Sequence, residues 1–430
     1  MSHDKHLFDL YFEYVADTEA PLIYHRWSLI ASVGAFLGRN YWLPFGAGKV
    51  LPNQYIMLIG NPGTRKSSAI KTSRRVLSSA GYSTFAAEKT TKEKFLLDLE
   101  GGDDEETNDY GRPAKSRQVT NRDVLANLEL ANGDASHDGI PREVFITADE
   151  FNEFAGAGNL DFLSMLGALW DWDDEATTYK HRFKNSKSLS IYQPTISIIS
   201  GNTHTGFQQA FPAAAIGQGF LSRLVLVYSE PSGKKITFPK PPSEAIAVAI
   251  GERFHAIKER VQGPATLTKK AEQMLDTIYR TKKDLEDVRF KAYSTRRQTH
   301  LYKLCLVVAA MRVSTEIAED DVMLANTILS WTENSMDKAL GEYGKSRHAE
   351  AVQNIMNALY TTMNPLSFED LFKIARRDIE KRELLPEILN GLVAAGKIQF
   401  LPALQKFVAM QQTVDDKAKY VDFKLLKEYQ

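Results

Sequence analysis

Apolar positions along the chain fall into two periods. At residues 6–17 and 21–38 they recur at helical spacing and include many aromatics, which predicts two amphipathic helices, with Pro21 in the first turn of the second. Short apolar runs then predict strands: two that lead from Tyr41 to Gln54, followed by 54–59, 83–88, 143–148, 195–202 and 224–228. Helical patterns separate them, from Lys66 to about Ser79 with Gly81 as a stop signal, from Thr91 to Gly101, and over 160–172. Strands alternating with helices predict an α/β domain.

Two stretches break that rhythm. Residues 101–142 are rich in Asp, Glu, Asn, Gly and Arg, with too little apolar surface to offset the entropy of ordering. A largely mobile insertion is expected there, with one short helix at 123–131 and a DNA- or partner-contacting loop as the lesser alternative. At 177–194, β-favouring residues flank Asn185 and Ser186, which predicts a hairpin with a basic tip.

Residues 206–216 read as a Phe- and Ala-rich loop or short helix, and 231–265 begin as a Pro- and Lys-rich crossing and turn helical. Helical periods follow at 267–289, 294–313 and 319–340, the last opening on Glu319, Asp320 and Asp321. Helices at 346–360, 368–376 (capped by Ser367) and 379–395, then two short strands, make a winged-helix pattern with 379–395 in the recognition position. Arg376, Arg377, Lys381 and Arg382 lie near its start, and DNA and a protein are equal candidates as its target. The end, 413–430, reads as a docking helix or a frayed terminus. These breaks divide the chain into an N-terminal helical segment (1–45), an α/β core (46–230), a linker with a helical unit (231–342), a winged-helix domain (343–412) and a tail.

Composition narrows the class. With 430 residues, 43% hydrophobic and 25% charged, this is a globular chain with room for about two to four compact units. The net charge of −1 means that any nucleic acid must be met by local basic patches. The single cysteine, Cys305, stands in an apolar run and reads as a buried thiol, which fits a reducing, cytoplasmic compartment. Asp4 and Asp9 near the start are unlike a signal peptide, and no apolar run approaches the ~18 residues of a membrane span, so no membrane association is expected.

The candidate chemistry begins at the strand end Gly60-Asn61-Pro62-Gly63-Thr64-Arg65-Lys66-Ser67-Ser68. A buried strand, a Gly-rich turn and a helix start make a P-loop, whose backbone N–H groups and helix N-terminus cradle phosphates. Lys66 would neutralise the outer phosphates of ATP, and the Ser67 hydroxyl would ligate Mg2+. Arg65 stands where the second glycine of the pattern is expected. The strand at 143–148 ends in Asp149 and Glu150, suited to hold Mg2+ through water and to polarise an attacking water.

Asn202, at the next strand end, is placed to meet the terminal phosphate or that water. Arg223, before another core strand, is either an arginine finger for a neighbouring subunit's nucleotide or a structural ion pair. Lys180, Arg182, Lys184 and Lys187, interleaved with Tyr179, His181 and Phe183, suit phosphate contact and base stacking on single-stranded nucleic acid; a solvated edge hairpin is the plain alternative. Tyr24, His25 and Trp27 either flank a base or belong to the core.

In order, Lys66-Ser67, Asp149-Glu150, the hairpin, Asn202 and Ser222-Arg223 resemble ring-forming AAA+ helicases of the minichromosome-maintenance kind. The chain is more similar still to phage and prophage P-loop proteins assigned as replicative helicases, which pair an Arg-Lys-Ser loop with a Phe-Leu-Ser-Arg segment. The resemblance spans about residues 20–335. It implies an AAA+-like P-loop ATPase core with a helical lid, and a sensor 2 arginine at Arg296 or Arg297. It also implies ATP and Mg2+ as cofactors, DNA as partner, and a homo-oligomer, by resemblance a hexamer, that works with a primase, an initiator or a single-strand-binding protein. The rivals are a helicase loader or replication initiator that binds DNA without unwinding it, and a P-loop nucleotide switch.

Overall fold

The computed structural model describes residues 6–101, 140–172, 178–182, 189–211, 219–285, 287–341, 349–362, 365–379, 381–394, 397–410 and 420–427. Two compact units emerge, Met1–Gly341 with Tyr420–Gln430, and Glu342–Lys419. The expected insertion helix at 123–131 and the tip of the basic hairpin lie outside the described residues.

The larger unit is mixed α/β and is built on a four-stranded parallel sheet. Its strands lie in the order Glu143–Ala148, Thr195–Asn202, Tyr55–Ile59, Val225–Tyr228. All four are apolar and almost wholly buried, as parallel strands covered on both faces must be. The strand expected at 83–88 contracts to one parallel bridge, Phe85 to Phe145, outside Glu143–Ala148.

Helix Leu22–Leu37 departs from the expected amphipathic pattern, for it is buried on nearly every face. It packs on the sheet, on helix Leu7–Tyr14, on helix Lys66–Ser79 and on helix Lys291–Met311, so no face is left for water. Gly34 lets it approach the chain before the central strand: an added Cβ would stand 2.5 Å from the Pro52 carbonyl oxygen. Tyr24, His25 and Trp27 are core residues here, the Trp27 indole donating to Thr332 Oγ1 at 2.8 Å, and none is open to a base.

Helices Glu244–Arg260, Lys269–Thr281, Lys291–Met311 and Glu319–Glu333 share one hydrophobic core with those N-terminal helices. Phe254 meets Phe36 edge-on at 5.0 Å. Cys305 is buried within this core, and its thiol pKa is pushed up by burial. At the chain end a single 3-10 turn, Phe423–Leu425, docks with Phe423 edge-on to Trp331 at 5.3 Å. Among the described residues no helix is long and apolar enough to cross a membrane.

The smaller unit has its own core, with Ile355, Leu371, Leu385 and Leu389. Helices Ala349–Thr361, Phe368–Ala375 and Leu384–Ala394 accompany a three-stranded antiparallel sheet, in which Lys406–Ala409 lies between Leu366–Ser367 and Ile398–Leu401. Ser367 caps its helix reciprocally with Asp370. The third helix starts at Leu384 rather than 379, because Pro386 lacks an N–H and is tolerated only in a first turn. Arg382 near its start is paired with Glu369.

Burial lowers the pKa of three histidines in the larger unit, His6 to about 4 and two others further. His25, against Thr18 Oγ1 at 2.8 Å, and His300, against the Ser222 carbonyl at 3.0 Å, have pKa values lowered by burial to about 3. Unfolded, each takes a proton near pH ~6.5. Their contribution is whole above that pH and is lost below it, at about 1.4 kcal/mol per histidine per pH unit. The urea midpoint, read from tryptophan fluorescence, is therefore expected to fall steadily from pH 7 to pH 5. A level midpoint across that range would contradict the assignment.

Candidate functional site

Parallel pairing brings the strand ends of the larger unit together. Strand Tyr55–Ile59 leads into Gly60, and helix Lys66–Ser79 begins after Arg65. Gly63 and Arg65 both have positive φ, 86° and 62°, which turns the loop back on itself. The helix starts without a side-chain cap, so its first N–H groups have no acceptor within the helix. Gly60 is closely packed: a Cβ there would lie 2.5 Å from the Tyr24 hydroxyl, which itself donates to Ile59 O at 2.7 Å.

Lys66 folds over this loop. Its Nζ donates to Gly60 O at 2.8 Å, Asn61 O at 3.1 Å and Thr64 Oγ1 at 3.1 Å. Burial lowers its pKa, and the Glu150 carboxylate opposes that shift. Gly201 explains the proximity, since a Cβ there would stand 2.6 Å from Asp149 O and 3.4 Å from Lys66 Cβ. Asn202, one residue on, pairs with Ile59 and accepts the Gly60 N–H at 3.3 Å. The ladder ends where Ala148 lies beside Ser200; Asp149 and Glu150 follow directly on one strand, and Gly201 and Asn202 on the other. Gly60–Lys66, Asp149, Glu150 and Asn202 thus meet at the C-terminal edge of the sheet, where ligands of open parallel sheets bind.

Three residues that sequence reasoning passed over belong to this edge. Lys71 pairs with Asp149 at 2.6 Å; it lies four residues after Ser67, a same-face spacing that was a readable signal. Glu19 receives Arg65 Nε at 2.7 Å, and its other oxygen accepts the Ile236 N–H at 2.9 Å. Those bonds hold its pKa down, and no local pattern announces a partner 46 residues away. Asn152 is the third, two residues beyond Asp-Glu and unremarkable as sequence.

Ser67, at the first helical turn, and the Asp149 carboxylate suit Mg2+, and the Lys71 ammonium on Asp149 marks that carboxylate as facing a cation. Among the described residues no group of three or more His, Cys, Asp or Glu forms a cage.

Arg223 lies elsewhere. It precedes strand Val225–Tyr228, level with the start of Tyr55–Ile59, so the strand length puts it roughly 17 Å or more from Gly60. Its guanidinium donates to Gly219 O at 2.7 Å, stacks 5.9 Å from Trp170, and leaves Nε without an acceptor. Burial, then Arg296, lowers its pKa.

Arg296 shares this opposite edge, 3.9 Å from Asp171 and over the same Trp170 ring. Arg296 and Arg297, the two candidates for the sensor 2 position, part company here. Arg297 is buried, its Nε at 2.7 Å from Glu333 and its NH2 at 3.0 Å from Asn326 Oδ1 and 3.1 Å from Ser330 Oγ. Lys180 and Arg182 are exposed on a strand pair, Thr178–His181 with Leu189–Tyr192. Lys184 and Lys187 lie outside the described residues.

No protein-family model matches the chain, and no curated protein matches it.

The Arg65 backbone, left-handed without being glycine, carries about 1–2 kcal/mol of strain, and an exposed ion pair returns little. Arg65→Gly relieves the strain but loosens the unfolded chain by a similar amount. Urea unfolding is expected to move by about 1 kcal/mol or less; a loss beyond about 2 kcal/mol would show that the Glu19 contact carries the loop.

Proposed function

We propose that this chain is an ATP-driven motor on DNA, an AAA+-like P-loop ATPase with a helical lid and a winged-helix unit, acting as a replicative helicase of a phage or mobile element. The single observation that carries this reading is the meeting of Gly60–Lys66, Asp149, Glu150 and Asn202 at one sheet edge. In it, loop N–H groups and Lys66 hold the phosphates, Ser67 and Asp149 hold Mg2+, and Asn202 orients the terminal phosphate. Mg2+ supplies charge neutralisation on the phosphate oxygens when bound. Lys66 must give up its loop carbonyls to reach them, and Glu150, whose charge already acts on Lys66, takes the proton of the attacking water.

Arg223 cannot reach across its own sheet, so a second copy must present it, and Arg296 beside it travels with it. That supports a ring, a hexamer by resemblance. Exposed Lys180, on strand Thr178–His181, and Arg182, just after it, supply phosphate contacts.

The test is ATP hydrolysis with and without single-stranded DNA, followed by strand displacement on a forked duplex. Wild type is expected to show DNA-stimulated hydrolysis and displacement. Lys66→Ala should lose nucleotide binding, Glu150→Gln should bind and not turn over, and Lys180→Ala with Arg182→Ala should lose the DNA response, more so at higher salt. Hydrolysis that DNA stimulates without displacement would replace the helicase with a loader or initiator. Indifference to DNA would leave a nucleotide switch.

A further inference from the structure

The proposed hydrolytic edge contains two buried acceptors that no described residue satisfies. Asn202 is wholly buried, yet its Oδ1 accepts no hydrogen bond from the protein, while its Nδ2 makes a long contact of 3.6 Å with Met57 sulfur. Oδ1 of Asn152 is likewise buried and unpartnered. Asn152 stands in helix Phe151–Ala155, whose N-cap is Glu150.

Both oxygens face one spot. A Cβ on Gly206, in helix His204–Ala210, would stand 3.0 Å from Asn202 Oδ1, 3.2 Å from Thr203 Oγ1 and 3.5 Å from Asn152 Oδ1. Buried acceptors that converge in this way require a donor between them. Two near donors are committed elsewhere: the Gly206 N–H goes to Thr203 Oγ1 at 3.0 Å, and Lys66 Nζ to its loop carbonyls. A water molecule has two hydrogens for two oxygens, and a polar niche with two to four partners is what holds one.

We propose that Asn152 is a positioning residue of the hydrolytic site, sharing one bound water with Asn202 and so fixing the Asn202 amide beside Glu150. Gly206 is the space this requires. The inference rests on the nucleotide-hydrolysis reading above. In that reaction a second, attacking water forms a bond to the γ-phosphorus, its proton passes to Glu150, and the bond from that phosphorus to the β–γ bridging oxygen breaks. Asn152 exchanges nothing in this step. Its amide oxygen holds the pair in register, and a freely rotating Asn202 would lose the interaction made in the transition state.

The test compares wild type, Asn152→Ala, Gly206→Ala and Asn152→Asp in the full chain. Gly206 has ordinary helical φ, and alanine is the better helix former, so Gly206→Ala pushes on the Asn202 oxygen and, less closely, on the Thr203 hydroxyl that caps the helix. Both alanine variants are expected to lose about tenfold or more in kcat. KM for ATP, affinity for a fluorescent ATP analogue and Tm should stay at wild-type values. Asn152→Asp retains the acceptor and should recover turnover.

Unchanged kcat in both alanine variants, or a loss carried by KM, would overturn the inference while leaving the ATPase reading intact. A wild-type chain that binds no ATP analogue, or binds it without turnover, would remove that reading and the inference with it.

Discussion

Much of the larger unit depends on where one strand is paired. Thr195–Asn202 lies hydrogen-bonded between Tyr55–Ile59 on one side and Glu143–Ala148 on the other, and it fixes both registers at once. Because the pairing is parallel, all three strands end on the same edge, and polar residues distant in the chain arrive at one height. Gly201 then admits the Asp149 backbone and the Lys66 side chain so closely that no Cβ would fit. A one-residue slip would turn Asn202 away and bring Gly201 or Thr203 into its place.

Electrostatics follows from that geometry. Within the loop edge, Lys66, Lys71 and Arg65 are each matched to an oxygen acceptor of the protein itself: loop carbonyls, Asp149 and Glu19. These contacts are exposed or half-exposed, so they cost little to exchange for phosphate or metal. Arg297 with Glu333 is the opposite case, for both partners are buried and further bonds to Asn326 and Ser330 satisfy the guanidinium. Removing either partner would strand a buried charge, which marks the pair as part of the scaffold. Arg223 falls between, half-buried with an unpartnered Nε at an edge its own loop cannot reach.

Local pattern made much of this legible. Short apolar runs located the sheet strands, and the strand–loop–helix at Gly60–Lys66 followed from residue types alone. Reasoning failed where distance in sequence decides. The helix Leu22–Leu37 reads as amphipathic by period, yet its polar face is buried against elements drawn from four parts of the chain. Glu19 and Asn152 carry no local signature, since their roles arise from Arg65 and from Asn202. The neighbours Arg296 and Arg297 read alike as sequence, and only the helix phase separates them, sending one to a buried carboxylate and the other to the Trp170 edge.

The proposed motor requires each site to be completed by a second copy, because Lys66 and Arg223 lie on opposite edges of one sheet. Mixing subunits tests it directly. Lys66→Ala and Arg223→Ala chains should each fail to hydrolyse ATP alone. Combined in equal amounts, a Lys66→Ala subunit lends its arginine to the intact loop of an Arg223→Ala neighbour, and random assortment should restore about a quarter of the sites. Recovered hydrolysis on mixing is the predicted result. Two chains that remain inactive together, or an Arg223→Ala chain that is fully active by itself, would contradict the account.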